Sequence, residues 1–553
     1  MPSPSDAVAA GASVREAIDL RRFPWIRPLV GEYTQNFARL APLFAGNPSD
    51  PDAWRTTIAR VSKAPRDRAA IHAALIRQLS RRGAPEEARR SADRLASPSS
   101  VAIVTGQQAG VFGGPLYTLL KAVTAIQLAQ RVTQDYGTEA VPVFWVDAED
   151  HDWDEVRSAR ILDSQFNVAD VTVPDPEGAG SLPVAKLVFD EGVAAALDEL
   201  ARLLPPTEFT AEVMESLRRR YFPGAGVSAA FAGWIEDLLG RQGLVVFEAD
   251  DPSVKPLVAD LFERELQHPC TTSKLATEAG ALMSSLGHSP QVVPSEDSVA
   301  LFYLDGTSRK GIKRQAGAYT VGDGVRSVAD VCAEAKAHPE RFSPNVLLRP
   351  IVQDRLFPTA CYVAGPSELA YQAQLGGIYR EFGVEAPLLH SRASATIVDS
   401  AAARFLDRSK LPLEALHAQD ESALNRFLEA QLPPDLDRVI SELGELVGGR
   451  ADVLKVTATT VDPTLAGAVD TTVDRIRETL NSLQSKIIQA AKRKDETLRR
   501  QFTRTRALCF PGGDPQERAL SLPFFFNRYG LSLGDRLIAS LPLETDRHYS
   551  LML

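Results

Sequence analysis

The feature that most constrains the fold is a pair of short apolar runs, VAIVT at 101–105 and VPVFWV at 141–146, joined by the helix-like PLYTLLKAVTAIQLAQRV. Continuous apolar runs of this length are strands covered on both faces, as in a parallel sheet. Strand, helix and strand then form a βαβ unit with a right-handed crossover. LVVF at 244–247 and VALFYL at 299–304 read as further buried strands. The expected fold class is α/β, an open parallel sheet wrapped by helices. Residues 1–98 read as mainly helical and amphipathic, a lead-in to that core.

Composition excludes several classes. A prior of about 150 residues per domain divides 553 residues into three or four units. With 44% hydrophobic and 24% charged residues the chain is an ordinary folded protein, not a disordered, collagen-like or disulfide-scaffolded one. The 71 acidic residues outnumber the 61 Lys and Arg, and the net charge of −10 opposes non-specific attraction to nucleic acid or to an anionic membrane. Cys270, Cys332, Cys361 and Cys509 are far apart with no Cys-x-x-Cys, so neither a zinc ribbon nor a disulfide framework is indicated and reduced thiols are expected. No export leader is read in MPSPSDAVAAGASVREAIDLRRF and no stretch approaches 18 apolar residues, so the expected location is the cytoplasm.

Two insertions into the sheet domain are expected, at about 155–240, where VPDPEGAGSLP marks a surface loop, and at about 270–340, where TSRKGIKRQAGAYTVGDG is loop-like and basic. From Thr464 to Arg506 there is no proline and a single glycine, Gly467, which predicts a helix ~65 Å long. Val469, Val473, Ile476, Leu480, Leu483, Ile487 and Ala490 are spaced by four and three, the seam of a coiled coil. Asp462, Pro463 and Thr464 supply its start signal. The seam needs a partner, either helices between about 400 and 447 or a second subunit, the latter giving a homodimer. The expected domains are a core at 1–385, a helical coiled-coil domain at 386–506 and a segment at 507–553 that packs back on the core.

Three segments carry chemistry. In the first, Thr105, Gly106, Gln107, Gln108, Gly110, Gly113 and Gly114 follow a strand and precede a helix opening at Pro115, with Tyr117, Thr118 and Lys121 in its first turns. Glycines permit close backbone approach to a ligand, and a helix N-terminus offers N–H groups to a phosphate or carboxylate. Neither the P-loop nor the G-x-G-x-x-G spacing is present, and glycines that serve only packing are the competing reading. In the second, Glu149, Asp150, His151 and Asp152 end the next strand, beside the glycine turn if the strands are neighbours. Such carboxylates can hold an amine, a ribose or magnesium, and His151 can act as a general base, whereas a helix cap is the bland alternative. In the third, Asn345, Arg349, Gln353 and Asp354 precede a strand that runs into Gly365, Glu368 and Tyr371. Arg349 is either a carboxylate or phosphate clamp or half of a structural salt bridge. A basic run near Arg499 and Arg500, followed by Gln516, Glu517, Arg518 and Asn527, is either a separate nucleotide pocket or a solvated helix face. No residue is assigned to a metal.

Taken together, TGQQAGVFGGPLYTLLKAVTAI, PVFWVDAEDHDWDEV, SPNVLLRPIVQDRLFPTACYVAGPSELAY and FPGGDPQERALSLPFFFNRYG resemble the bacillithiol biosynthesis cysteine-adding enzymes, in the same order from about residue 10 to the C-terminus. The resemblance implies a Rossmann-like core with two connecting-peptide insertions and a dimerising coiled-coil domain. It implies a ligase joining cysteine to the amine of glucosaminyl-malate in the last step of bacillithiol biosynthesis, with ATP as the expected co-substrate. Gln107, Gln108, Asp150, His151, Asp152 and Arg349 are then the catalytic candidates, and the other residues named in the three segments are substrate-binding candidates. The core also resembles nucleotidyltransferases related to class I aminoacyl-tRNA synthetases, whose His-x-Gly-His turn is replaced here by Thr105, Gly106, Gln107 and Gln108. Ala364, Ser367 and Gln372 stand where the commoner family pattern has Gly, Gly and Trp. An enzyme acting on another small amino compound and a non-catalytic coiled-coil scaffold are the alternatives. Adenylate or acyl-phosphate activation, and a metal or partner requirement, are open at this point.

Overall fold

The computed structural model describes residues 13–322, 324–429, 435–494 and 496–553. The chain divides into two compact units, one of residues 1–397 with 515–553 and the other of Val398–Asp514.

The first unit is built on five parallel strands, β1 (Val101–Gln108), β2 (Ala140–Asp147), β3 (Val245–Glu248), β4 (Thr359–Ala364) and β5 (Leu388–Ser391). Their order is β5-β4-β1-β2-β3, with every neighbouring pair parallel. This is the doubly wound order of a Rossmann-like core, in which the direction of winding reverses between β4 and β1. Val101, Ala102, Ile103 and Val104 are all fully buried, so both faces of the sheet are covered. The crossover from β1 to β2 is helix α1 (Leu116–Tyr136), stopped by Gly137 in the left-handed conformation at φ 63°. Buried residues nearly all round α1, from Leu119 and Leu120 to Ile126 and Leu128, make it a central helix and not a surface one.

Two expectations are corrected here. VALFYL does form a strand, Ser298–Leu304, but it lies in a separate antiparallel sheet with Arg309–Gln315, Ala318–Val321, Gly324–Arg326 and Phe342–Pro344. The basic stretch read as a loop is thus largely strand. In RKGIKRQ only Ile312 is buried, so the alternation that betrays a strand is nearly absent from the sequence. Residue 323 lies outside the described residues. At the N-terminus, Ser13–Asp19 is not helical but pairs antiparallel with Arg547–Met552, which lies between it and Ser394–Val398. Its pairing partner is at the far end of the chain, which local periodicity does not encode. Residues 1–12 lie outside the described residues.

The C-terminal segment is locked to this unit by buried polar groups. Gln516 accepts from Ile397 N–H at 2.7 Å and donates to its carbonyl at 2.8 Å. Glu517 accepts from Arg392 at 2.7 Å, from Ser394 Oγ at 3.1 Å and from Ala395 N–H at 3.0 Å. His548 sits between the Ser394 and Thr396 hydroxyls, at 2.7 and 2.9 Å. Breaking one side of a buried ion pair such as Arg392–Glu517 costs about 3–5 kcal/mol, because the other charge is left without a partner.

In the second unit, helices α2 (Asp435–Val461), α3 (Leu465–Lys494) and α4 (Glu496–Cys509) follow two shorter helices. The first sheet takes in Leu388–Ser391, so the core passes residue 385 before the helical unit begins. Asp462 accepts from Thr464 N–H at 2.9 Å and turns α2 into α3. The two helices run antiparallel, with Lys455 bonded to Asp470 at 2.6 Å and Gln484 to Asp437 at 2.7 Å. The seam therefore has an intramolecular partner in α2. Val469, Val473, Leu480 and Ile487 are half-buried against it, while Ile476 and Leu483 stay 37% and 47% exposed. Residue 495 and the Ala490 side chain lie outside the described residues. Among the described residues no helix is long and apolar enough to cross a membrane, and no disulfide is formed.

Burial pushes His548 and the buried His390 on β5 down to about 4 from an ordinary 6.5. As pH falls below about 6.5 the unfolded chain takes up these protons first, so stability is lost until about pH 4, by roughly 3 kcal/mol per ring. Thermal unfolding should show a melting temperature that is level above pH 7 and falls steadily below 6.5. His548→Gln should be less stable at pH 7 and show a flatter fall.

Candidate active site

The carboxyl ends of the core strands open into a cavity of about 430 Å³. Its floor joins the two strands at which the winding reverses. Lys121, in the second turn of α1, reaches back to donate to the Gly106 carbonyl at 2.8 Å and to Gln107 Oε1 at 2.9 Å, and it is ion-paired with Glu368. Glu368 lies in the first turn of the helix after β4, where it accepts from Gly365 N–H at 2.7 Å and from the Tyr362 hydroxyl at 2.6 Å. Burial opposes its charge, but Lys121, Tyr362 and Gly365 together hold the carboxyl below the usual range. Lys121, a substrate-binding candidate from the sequence, is 3% exposed.

Arg349 forms the adjoining wall. It donates to Gln353 Oε1 at 3.1 Å and to the Tyr371 hydroxyl at 2.9 Å, and its Nε lies 3.4 Å from Asp147 at the end of β2. Burial pushes Tyr371 up to about 12, with the Arg349 charge pulling the other way. Asp147 is also raised by loss of water around it, against the pull of Arg349. Behind the guanidinium, Gln353 donates to Asp354 at 2.9 Å and Tyr379 donates to the same carboxylate at 2.5 Å. Gln353 and Asp354 do not reach the cavity. They hold Arg349 in place, and they are 0% and 1% exposed.

The acidic run divides. Glu149 is buried and ion-paired with Lys255, and burial raises its carboxyl above the usual range despite that partner. Asp150 accepts from Arg309 at 3.0 Å, whose guanidinium lies 3.6 Å from the Phe302 ring centroid. Asp152 caps the short helix Trp153–Val156 by accepting from Glu155 N–H at 3.2 Å. Glu155 in turn accepts from Gln108 at 2.8 Å. Glu149, Asp150, Gln107 and Gln108 line the cavity, as does Asn345, whereas His151 and Asp152 do not.

Most of the glycine turn serves packing. A Cβ on Gly106 would lie 2.8 Å from the Trp145 carbonyl on β2, and one on Gly113, at φ 88°, would lie 2.5 Å from the Trp234 ring. Gly110 packs on Gly114, and Thr105 donates to the Val363 carbonyl at 3.0 Å. Of the turn glycines only Gly106 lines the cavity, and neither Thr105 nor Thr118 does. The first amide of α1, on Leu116, donates to the Leu520 carbonyl at 2.9 Å, so the helix N-terminus meets the C-terminal segment.

The residues grouped as a separate nucleotide pocket are divided between the two units. Arg499 and Arg500 belong to α4 in the second unit, and Arg499 is ion-paired with Glu421. Gln516 and Glu517 form the buried lock described above, and Asn527 donates to the Pro205 carbonyl at 2.8 Å. Arg518 alone of this group lines the cavity, exposed at its rim with no ion-pair partner among the described residues. Sequence reading missed Asp147, Glu155, Gln291, Arg309, Tyr362 and Arg392, all in the lining. Asp147 was within reach, as the residue that ends VPVFWVD. Arg309 and Gln291 come from the second insertion, where nothing local marks them. Among the described residues no cluster of three or more His, Cys, Asp or Glu side chains is placed to hold a metal ion.

Comparison with known proteins places the chain. Residues 16–393 match the family described as bacillithiol biosynthesis BshC, N-terminal Rossmann-like domain, and residues 395–553 match its C-terminal coiled-coil domain. A protein of Salinibacter ruber named "Putative cysteine ligase BshC" is 33% identical over 99% of this chain and 99% of its own length. Proteins of the same name from Chlorobaculum tepidum and Symbiobacterium thermophilum are each 32% identical, covering 84% and 93% of this chain and 85% and 95% of their own lengths. With both family domains matched in order and relatives aligned along nearly its whole length, the chain belongs to the bacillithiol biosynthesis BshC family and is a ligase.

Proposed function

We propose that the cavity joins cysteine to the amine of glucosaminyl-malate, the last step of bacillithiol biosynthesis, after ATP-dependent activation of the cysteine carboxylate. The observation that carries this reading is the balance of charge at the reversal point of the sheet. Lys121, Arg309, Arg349, Arg392 and Arg518 face Asp147, Glu149, Asp150, Glu155 and Glu368 around one polar cavity. Such a lining suits zwitterionic and hydroxylated substrates. Arg349 and Arg518 are the donors suited to a carboxylate or phosphoryl group, and Asp147 and Glu155 are the acceptors suited to an ammonium. ATP, when bound, supplies the activation that amide formation from a free carboxylate requires. Arg518, with no carboxylate on it among the described residues, and Arg349 are the groups that would meet its phosphates. The protein's own part is to fix Arg349 through Gln353 and Asp354, to hold Lys121 on Glu368, and to keep the reacting groups oriented in one cleft.

Purified protein supplied with cysteine, glucosaminyl-malate and ATP should yield bacillithiol together with AMP or ADP, and the nucleotide released tells adenylate from acyl-phosphate activation. Well-folded protein that forms no thiol product from these three substrates sinks the reading. Arg349→Gln should lower kcat/KM by about 10²–10³-fold, as loss of a fixed charge stabiliser does, without a matching loss of secondary structure by circular dichroism.

The helical unit supports a homodimer. Val439, Leu446 and Val453 lie seven residues apart on α2 and are 43%, 65% and 60% exposed, an apolar stripe that pairing with α3 leaves uncovered. Light scattering should give twice the 60.0 kDa chain mass, and Leu446→Glu combined with Val453→Glu should reduce it to one chain.

A further inference from the structure

Two tyrosines of the cavity, Tyr117 and Tyr371, use their hydroxyls differently from the others around it. Tyr362 spends its proton on Glu368 at 2.6 Å, and Tyr379 spends its own on Asp354 at 2.5 Å. Tyr117 and Tyr371 are instead each bonded to a group that can only donate. Gln107 Oε1 is taken by Lys121 at 2.9 Å, which fixes the orientation of the amide and leaves its NH2 end to donate to Tyr117 Oη at 3.2 Å. Arg349 donates to Tyr371 Oη at 2.9 Å, and a guanidinium has no acceptor. Neither hydroxyl proton therefore goes to its bonded neighbour, and among the described residues neither has an acceptor. Both side chains line the cavity, where a ligand would supply one.

The fold brings the two to one floor. Tyr117 lies one turn before Lys121 on α1, and Tyr371 lies one turn after Glu368 on the helix Pro366–Gln372. Each tyrosine thus shares a helix face with one end of the Lys121–Glu368 pair that ties the two helices together. Arg349 on Tyr371, and Arg392 with its guanidinium 5.6 Å from the centre of the Tyr117 ring, place positive charge beside both phenols. Polarised in this way, each O–H is a stronger donor. Burial pushes both phenols up, Tyr371 to about 12, so they keep their protons at neutral pH.

We infer that Tyr117 and Tyr371 are catalytic residues, the neutral donors that receive the oxyanion formed at the acyl carbon of the activated cysteine. This rests on the reaction proposed above. As the lone pair of the acceptor amine makes the C–N bond, the carbonyl π pair moves onto oxygen, toward these hydroxyls. That pair re-forms the carbonyl when the bond to phosphate or AMP breaks. The leaving group departs with the bonding pair, and the proton of the amine passes to water. The tyrosines exchange no proton. Arg349 and Arg518 carry full charge and suit anions present from the start, whereas fixed neutral hydroxyls contribute most where charge appears during the reaction.

Steady-state kinetics and calorimetry on the full chain test this, the calorimetry with the aminophosphonate analogue of cysteine, whose tetrahedral head carries anionic oxygens. Tyr117→Phe and Tyr371→Phe should each lower kcat by about 10²–10³-fold, change the KM for cysteine by less than about threefold, and weaken the aminophosphonate at least about tenfold. Gln107→Glu keeps Tyr117 and a partner for Lys121, but it replaces the NH2 donor with a carboxylate oxygen that takes the Tyr117 proton. It should lower kcat as Tyr117→Phe does, and the double variant should lose less than the product of the two single losses. Circular dichroism identifies the folded variants, and Gln107→Glu carries the test for Tyr117 if the phenylalanine variant does not fold. Wild-type kcat in either folded phenylalanine variant, a raised KM for cysteine at unchanged kcat, or losses that multiply in the double variant each overturns the assignment. A wild-type chain that forms no thiol product sinks the proposed reaction instead. Equal affinity for the aminophosphonate in the wild type and both phenylalanine variants then sinks the hydroxyl pair separately.

Discussion

A parallel sheet covered on both faces can gather polar groups only along its rim, and in this fold the carboxyl rim is where every named charge of the cavity is found. The strands themselves contribute almost nothing polar until their last residues, Gln107 and Gln108 on β1 and Asp147 on β2. The winding reversal between β1 and β4 leaves a gap at that rim. Lys121 and Glu368 close its floor from the two helices that leave these strands. Everything else in the cavity is arranged around that tie.

Charges taken out of water in this site come in pairs with additional hydrogen bonds, as their desolvation demands. Lys121 has three acceptors, Glu368 three donors, and Arg349 two neutral acceptors and a carboxylate nearby. Saturated groups of this kind are rigid, because any rotation exposes an unpaired charge to a poorly polarisable interior. Arg518 is different in kind. It sits at the rim, exposed and without an ion-pair partner among the described residues, and so is the cation whose position is least determined by the protein.

How much was legible in the sequence depended on how far each residue's partner lay from it. The strands β1 and β2, the turn between β1 and α1, and the acidic run at the end of β2 are encoded by neighbours, and all stood out. The roles of the glycines did not. Gly113 is required by Trp234 and Gly106 by Trp145, contacts made only once the sheet and its helices are assembled. Asp354 and Gln353 carry the residue types of a binding site yet work from behind Arg349, and only burial distinguishes the two. Arg309 was hidden for the opposite reason, since a basic stretch with one buried residue in seven looks like a loop until its sheet partners are known. The strand at Ser13–Asp19 is the extreme case, paired with the other terminus.

That long-range pairing has a counterpart in the cavity wall. Glu517, which steadies Arg392, and Arg518 both lie in the segment 515–553, which belongs to the same unit as the sheet. The charge of the cavity is thus shared between segments that lie on either side of the helical unit in the sequence, and the wall carries its full charge only once residues 515–553 have docked on the sheet.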